Sequence, residues 1–345
     1  MDAGSQFSWG HLISRLMKGE SLTEQESSAA MIEIMEGAAT PAQIAGFVVA
    51  LRTKGESIDE VAGLVRTMRS YGRAVEVSGE VLDTCGTGGD RTGTFNVSTA
   101  AAIVCAGAGV KVAKHGNRAA SSRCGSADVL EALGVAIDLP GEGVAACIDK
   151  AGIGFCFAPV FHPAMRHAAT PRRELGVATI FNFLGPLTNP AGATRQALGV
   201  ADPRMIEVMV STLARLGSTR VLAFHGHQGL DELSTSGSSK VVELRAGELH
   251  RWSIDPAQLG LAQASLDSVS GGTAAENAAH IRSVLAGEGG PRRDIVLLNA
   301  AAGLVAAGTA GDMAEGLERS ARAVDSGDAA GSLELLIETS QSLRV

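Results

Sequence analysis

The sequence predicts an α/β protein, a small all-helical head followed by a larger domain built on a mainly parallel sheet. Three observations carry this expectation. Helix-start signals recur without strand patterning through residue 72, short apolar runs alternate with longer helical stretches from Gly79 onward, and a glycine-rich turn links an apolar run to an alanine-rich one.

The head reads as helices because Ser21-x-x-Glu24, Thr40-Pro41-x-Gln43 and Ser57-x-x-Glu60 each have the form of a capping box. Ile44, Phe47, Val48 and Leu51 then make one apolar stripe, and Gly55 ends that helix. Beyond Gly79, Val110–Ala113, Ile153–Phe157, Arg195–Val200 and Arg220–Phe224 read as buried strands. Helices are expected at Ser126–Leu133, Pro203–Leu216, Ala274–Ala286, Asp294–Ala307 and Met313–Ser326. The proline-rich stretch from Phe161 to Asn189 reads partly as helices that rejoin the head. The expected division is a discontinuous helical domain over 1–72 with part of 161–190, and an α/β domain over 73–345.

Composition narrows the function classes. An apolar content of 45% with 19% charged residues fits a folded globular chain, and the formal charge of −8 argues against a general nucleic-acid or membrane binder. Aromatic residues at 3% leave little surface for base stacking. The five cysteines lack CxxC spacing and sit in apolar or Gly/Ala surroundings, which predicts reduced, buried thiols in a cytoplasmic protein. Residues 1–6 do not resemble a targeting signal, and no apolar run approaches a membrane span. The apolar faces of the head exceed what the head itself covers, and a homodimer is the expectation that follows.

Four constellations carry the chemistry. Asp83–Thr99 runs from an apolar lead into a loop containing Gly86, Gly88 and Gly89 and on to Ser98-Thr99 at a helix start, a layout in which backbone N–H groups approach an anion. Asp90 beside such a site needs a cation or a sugar hydroxyl between it and phosphate. Lys114–Ser126 gathers cations, an amide and hydroxyls directly after an apolar run, a second anion cradle. His225–Leu233 places Asp231-Glu232 in a glycine-flanked loop suited to divalent cations, with His225 and His227 read as loop residues. His162–Arg166, Arg172-Arg173 and Phe181–Leu187 offer guanidinium to a carboxylate and apolar surface to an aromatic ring.

With these strings in hand, the chain resembles the anthranilate phosphoribosyltransferase family, whose fold group includes the pyrimidine nucleoside phosphorylases. The likeness rests on Gly86–Asp90, Asn96–Thr99, Lys114–Arg118, Cys124–Leu130, His162–Met165, Gly185–Pro190, Leu230–Glu232 and Leu297–Ala301, in family order over effectively the whole chain. It implies transfer of the phosphoribosyl group of 5-phosphoribosyl 1-pyrophosphate to the amine of anthranilate, in tryptophan biosynthesis, by a homodimer joined through the helical domain. The donor would be held by Gly86, Gly89, Asp90, Thr94, Asn96, Val97, Ser98, Thr99, Lys114, His115, Gly116, Asn117, Arg118, Ala119, Ala120, Ser121, Ser122 and Ser126. Ser98, Asp231 and Glu232 would bind Mg²⁺, two ions per subunit, and Lys114, Asp231 and Glu232 would serve catalysis. Gly86, Asn117, His162, Arg172 and Pro186 would meet anthranilate. One departure is Pro171, where the family commonly has an aliphatic residue; it predicts an extended Thr170 and an altered setting for Arg172.

Two rivals weigh less. A pyrimidine nucleoside phosphorylase carries a Lys-His-Ser-Ser-Gly type of loop, whereas Lys114-His115 here continues into Gly116-Asn117. A nucleic-acid-binding relative without activity sits poorly with net acidity and an intact Asp231-Glu232 pair.

Overall fold

The computed structural model describes residues 7–119 and 123–344. The head consists of α1 (Trp9–Met17), α2 (Glu24–Met35), α3 (Pro41–Lys54) and α4 (Ile58–Ser70). Thr40 with Gln43 and Ser57 with Glu60 form capping boxes as the spacing predicts, and Gly55 stops α3 at φ 93°. The first box lies elsewhere. Thr23 caps α2 and Glu26 answers it, not Ser21 and Glu24. Glu24 instead pairs with Arg66 at 2.8 Å and Arg215 at 2.7 Å, while the Leu22 N–H donates to Glu60, which keeps residues 21–22 outside the helix. Glu60 is buried, and it also accepts from the Ser57 N–H at 2.7 Å and from Lys54 Nζ at 2.9 Å.

The α/β part runs β1 (Leu82–Gly86), α5 (Val97–Gly107), β2 (Val112–Gly116), α6 (Ser126–Leu133), α7 (Gly141–Ala151) and β3 (Ile153–Phe157). Then come α8 (Ala158–Phe161), α9 (Arg166–Leu175), α10 (Ile180–Leu184), β4 (Arg195–Gly199), α11 (Ile206–Arg215) and β5 (Arg220–His225). It closes with β6 (Ser239–Arg245), β7 (Glu248–Ile254), α12 (Ala274–Leu285), α13 (Pro291–Ala306), α14 (Met313–Asp325) and α15 (Asp328–Ser342).

The strands form one sheet in the order β3-β2-β1-β4-β5-β6-β7. Pairing is parallel from β3 through β5 and antiparallel in the last two pairs. The β6–β7 hairpin was not expected, because its strands carry charges on their open side. Its two-residue turn has Ala246 at φ 52° and Gly247 at φ 81°, the paired left-handed geometry that matches strand twist. The strand order reverses at β1 and β4, so their carboxyl ends, Gly86 and Gly199, border the crevice where ligands collect in such sheets.

Two apolar clusters cover the sheet. One is centred on the alanine-rich α5 and on α13, whose residues from Ile295 to Ala306 are all buried, as befits a helix apolar on every side. The other joins core residues of α1–α4 with Ala168, Ile180, Phe181, Phe183, Leu184 and Leu187 and with α11. Arg69 clasps the Leu187 carbonyl through Nε at 2.9 Å and Nη2 at 2.7 Å, and Arg52 lies over Phe183 while pairing with Asp202.

Two expectations about local structure are corrected. Thr170 is helical, because α9 continues through Pro171 despite the missing N–H; Ala168 and Pro171 are buried there, and packing outweighs the proline penalty of about 3 kcal/mol. The strands also extend further than their apolar runs. β1 includes Asp83, Thr84 and Cys85, and β2 runs through Lys114, His115 and Gly116, which the sequence reading placed in loops.

Candidate active site

The carboxyl ends of β1, β2 and β5 bring the first three constellations together. The Gly88 N–H donates to Asp231 Oδ2 at 2.7 Å, the Ser98 N–H at the start of α5 donates to Glu232 Oε1 at 3.0 Å, and Lys114 Nζ reaches Ser98 Oγ at 3.5 Å. Such proximity demands glycine. A Cβ on Gly86 would stand 2.2 Å from Asp231 Oδ2, one on Gly199 would stand 1.7 Å from the Asp231 carbonyl oxygen, and one on Gly226 would stand 2.2 Å from that of Glu232. By contrast, Gly88, Gly89 and Gly93 adopt positive φ with open space about them, so that side of the loop is accessible.

The buried charges do not balance. Lys114 is 2% exposed and donates to the Thr84 carbonyl at 2.6 Å. Burial lowers its pKa, opposed by Asp83 and Glu232. Burial pushes the Asp83 carboxyl up against the influence of Asn189, Lys114 and the His115 N–H, which donates to Asp83 Oδ1 at 3.1 Å. Burial likewise raises Asp231 to about 7, helped by Asp90 and opposed by the Gly88 N–H, and raises Glu232 strongly, with Asp231 adding to the effect. A bound cation would relieve this excess of negative charge.

Among the described residues no group of three or more His, Cys, Asp or Glu has metal-holding geometry. His225, expected in the loop, is instead the last residue of β5, where its Nδ1 meets the Val200 carbonyl at 2.8 Å, while His227 lies in the turn beyond and meets Ser236. The remaining set fits Mg²⁺ by its chemistry: two carboxylates and a hydroxyl, all hard oxygen donors, in a cradle that a Cβ would fill. Asp90 is turned partly to its own loop, accepting from the Thr92 N–H at 3.2 Å and from Thr92 Oγ1 at 2.7 Å.

Other donor candidates are placed as follows. Thr94 bridges to Ser270, and Asn96 donates to the Cys124 carbonyl at 3.2 Å while accepting from Asn277. Val97 is buried, and Thr99 Oγ1 is buried without a hydrogen-bond partner among the described residues. The Asn117 N–H donates to Ser126 Oγ at 3.2 Å, and the Ala119 N–H donates to Asp128. Arg118 is drawn away from the carboxylates; its guanidinium pairs with Asp128 and Glu131 and lies over Phe157. Ala120, Ser121 and Ser122 lie outside the described residues.

The fourth constellation splits. His115 and His162 rings lie 5.2 Å apart, with His115 Nδ1 at 3.0 Å from the Gly185 carbonyl and His162 Nε2 at 3.0 Å from that of Thr188. Pro186 is tied to β4 by Gln196, which donates to its carbonyl at 2.7 Å. Burial pushes His115 down to about 3 and lowers His162, so both imidazoles are neutral. Arg172 lies over Phe181 at 5.7 Å and has no carboxylate partner among the described residues; burial lowers its pKa.

The sequence reading overlooked Asp83 and Gln196 as site-forming residues. The available signal was a polar residue one position into a short apolar strand, Asp83 in β1 and Gln196 in β4, paired with each other across the sheet. It also gave no role to Asn299, which lines a cavity of about 10 Å³ with Thr84, Ser98 and Glu232. A larger open hollow, about 680 Å³ against α14, contains none of these groups.

Comparison with known proteins gives concordant results. Residues 10–72 match the glycosyl transferase family helical bundle domain and residues 78–330 the glycosyl transferase family α/β domain. Anthranilate phosphoribosyltransferase of Arthrobacter sp. (strain FB24) is 56% identical over 332 residues, covering 94% of each chain. The crystal structure of the Thermus thermophilus enzyme of that name superposes with a TM-score of 0.90 at 46% identity, covering 96% of this chain and 99% of that one. The Saccharomyces cerevisiae enzyme in complex with phosphoribosyl pyrophosphate and Mg gives 0.88 at 27% identity, covering 98% and 99%. In complex with 4-fluoroanthranilate it gives 0.85 at 27%, covering 97% and 99%.

His115 provides a pH signature. Its folded pKa of about 3 lies below the unfolded value of roughly 6.5, so the unfolded chain alone takes up a proton as pH falls through that window. Any stabilisation by the neutral ring is therefore present above pH 6.5 and is lost toward acid. The stability difference between wild type and His115→Asn, from urea denaturation, is expected to shrink by on the order of 2 kcal/mol between pH 7 and pH 5. A constant difference refutes the assignment.

Proposed function

The chain belongs to the anthranilate phosphoribosyltransferase family, and we propose that its chemistry occurs where the carboxyl ends of β1, β2 and β5 meet. The activity is transfer of the phosphoribosyl group of phosphoribosyl pyrophosphate to the amine of anthranilate, in tryptophan biosynthesis. The observation that carries the siting is the meeting of Gly88 with Asp231 and of Ser98 with Glu232 across the crevice.

In this reading the Gly86–Thr99 loop and the start of α5 seat the donor's phosphates, with Asn117, Ala119 and Ser126 on the second side. Val97 and Thr99 form the wall beneath, and Gly116 and the Arg118 backbone carry the chain past it. Ser98, Asp231 and Glu232 hold Mg²⁺, and the surplus of carboxylates over Lys114 supports two ions per subunit. When bound, Mg²⁺ would neutralise charge on the pyrophosphate. Lys114 adds a positive charge close by, with Glu232 buried and Asp231 half-buried at the edge of the crevice. Anthranilate lies against Gly86, Asn117, His162 and Pro186, and Arg172 receives its carboxylate.

The reaction forms a bond between the amine nitrogen and the anomeric carbon as the bond from that carbon to pyrophosphate breaks, the electron pair leaving with pyrophosphate and the nitrogen releasing one proton to the leaving group or solvent. A neutral aryl amine already carries the attacking lone pair. The demands on the protein are alignment and stabilisation of the leaving charge.

A homodimer through the helical domain completes the proposal. Met17 of α1 is 76% exposed and Val49 of α3 is 41% exposed, on helices packed side by side. The five cysteines are free, buried thiols, in keeping with the cytoplasmic setting proposed here; no described helix is long and apolar enough to cross a membrane. No nucleic-acid or membrane partner enters this reading.

Three measurements test these assignments. With loss of anthranilate fluorescence on adding phosphoribosyl pyrophosphate and Mg²⁺ as the assay, and EDTA as control, Asp231→Asn combined with Glu232→Gln is expected to lower turnover at least a hundredfold, about 2.7 kcal/mol of transition-state stabilisation. Wild-type turnover would remove the metal assignment. Arg172→Ala is expected to raise the anthranilate KM about tenfold or more while sparing that of the donor, and an unchanged KM moves the aromatic site elsewhere. Light scattering at micromolar concentration should give the mass of a dimer; a monomer excludes the interface.

A further inference from the structure

Asn299 lies in the middle of α13, within an otherwise apolar stretch, and is 3% exposed. Its amide faces a single residue of the opposing loop. Oδ1 accepts from the Leu233 N–H at 2.9 Å, and Nδ2 donates to the Leu233 carbonyl at 3.0 Å and to the Ile295 carbonyl one turn back at 2.8 Å. The side chain thus takes the place that a neighbouring strand would occupy, pairing both backbone groups of the residue that follows Glu232.

The two residues before Leu233 are fixed by steric contact. Gly199 and Gly226 admit the carbonyls of Asp231 and Glu232 at distances no Cβ would permit. The loop is therefore held by close packing at Asp231 and Glu232 and by one amide at Leu233. Leu233 is fully buried, so its N–H and carbonyl depend on the amide and not on bulk solvent. Asn299 also lines a small cavity together with Ser98 and Glu232, two of the proposed metal ligands.

We infer that Asn299 is a positioning residue for the Asp231-Glu232 pair, setting the height of both carboxylates above the sheet through the Leu233 backbone. The inference rests on the proposed reading of Asp231 and Glu232 as metal ligands. Asn299 touches neither substrate nor metal and acts through the peptide it holds.

Asn299→Ser is the informative variant, since the serine hydroxyl returns to the Ile295 carbonyl but does not reach Leu233. Val305→Ala, a cavity in the same helix far along the chain from the loop, supplies a control of lowered stability. Binding of Mn²⁺ to the free protein is followed by electron paramagnetic resonance. The expected result is a dissociation constant about tenfold higher in Asn299→Ser and unchanged in Val305→Ala, with the anthranilate KM retained in both. Asp231→Asn combined with Glu232→Gln, measured in parallel, is expected to abolish the Mn²⁺ signal change. If Asn299→Ser binds Mn²⁺ like wild type while the double variant does not, the positioning role is overturned and the metal reading stands. If the double variant binds normally, the metal reading falls and the inference with it. Amide exchange of the wild-type protein tests the clamp whether or not the variant folds: Leu233 should exchange slowly, and exchange at the rate of an open loop amide overturns the inference.

Discussion

One buried ammonium holds the centre of this structure. Lys114 extends from β2 beneath the Thr84 carbonyl toward Ser98, with Asp83 and Glu232 as its countercharges. Truncating it would remove the nearby positive charge from carboxylates held in a medium that solvates them poorly. The charge also explains why the strands do not end where their apolar residues end. Asp83 accepts the His115 N–H and so binds β1 to β2 at the level where an ordinary parallel sheet would be wholly apolar.

Close packing then converts this polar layer into a site. The switch in strand order puts Gly86 and Gly199 side by side, and the Asp231-Glu232 loop descends onto them because neither carries a side chain. Any other residue would lift the loop, separating Asp231 from the Gly88 N–H and Glu232 from the Ser98 N–H. Sheet topology and the glycines act at one place: the first opens a crevice, and the second sets how far the loop sinks into it.

Much of this was legible in the sequence. Thr40 and Ser57 cap the expected helices, Ser126–Leu133 is a helix with the expected bounds, and Ile153–Phe157 is a strand with its own. The family strings named the residues that meet at the strand ends. What escaped depends on contacts distant along the chain. The first capping box moved two residues because Glu24 is taken by Arg66 and Arg215, Pro171 stayed helical because α9 is packed, and the β6–β7 strands were hidden by their charges. The partnership of Asp83 with His115 spans 32 residues and that of Asn299 with Leu233 spans 66, beyond the reach of any local pattern. Arg118 illustrates the converse, since its motif position suggested the donor while its side chain found Asp128 and Glu131 nearer at hand.

The balance of charge also bears on the kind of catalysis the site favours. Burial keeps His115 and His162 neutral and raises the carboxyls of Asp231 and Glu232, so the free site is poorly satisfied and gains most from a divalent cation arriving with an anionic substrate. Proton transfer makes a smaller demand on such an arrangement. A reaction whose difficulty lies in the departure of a highly charged leaving group makes the larger one, because charges already held in place stabilise it with little reorganisation. In the proposed siting, the same unfavourable burial that strains the empty site would make its electrostatics effective once donor and Mg²⁺ are bound.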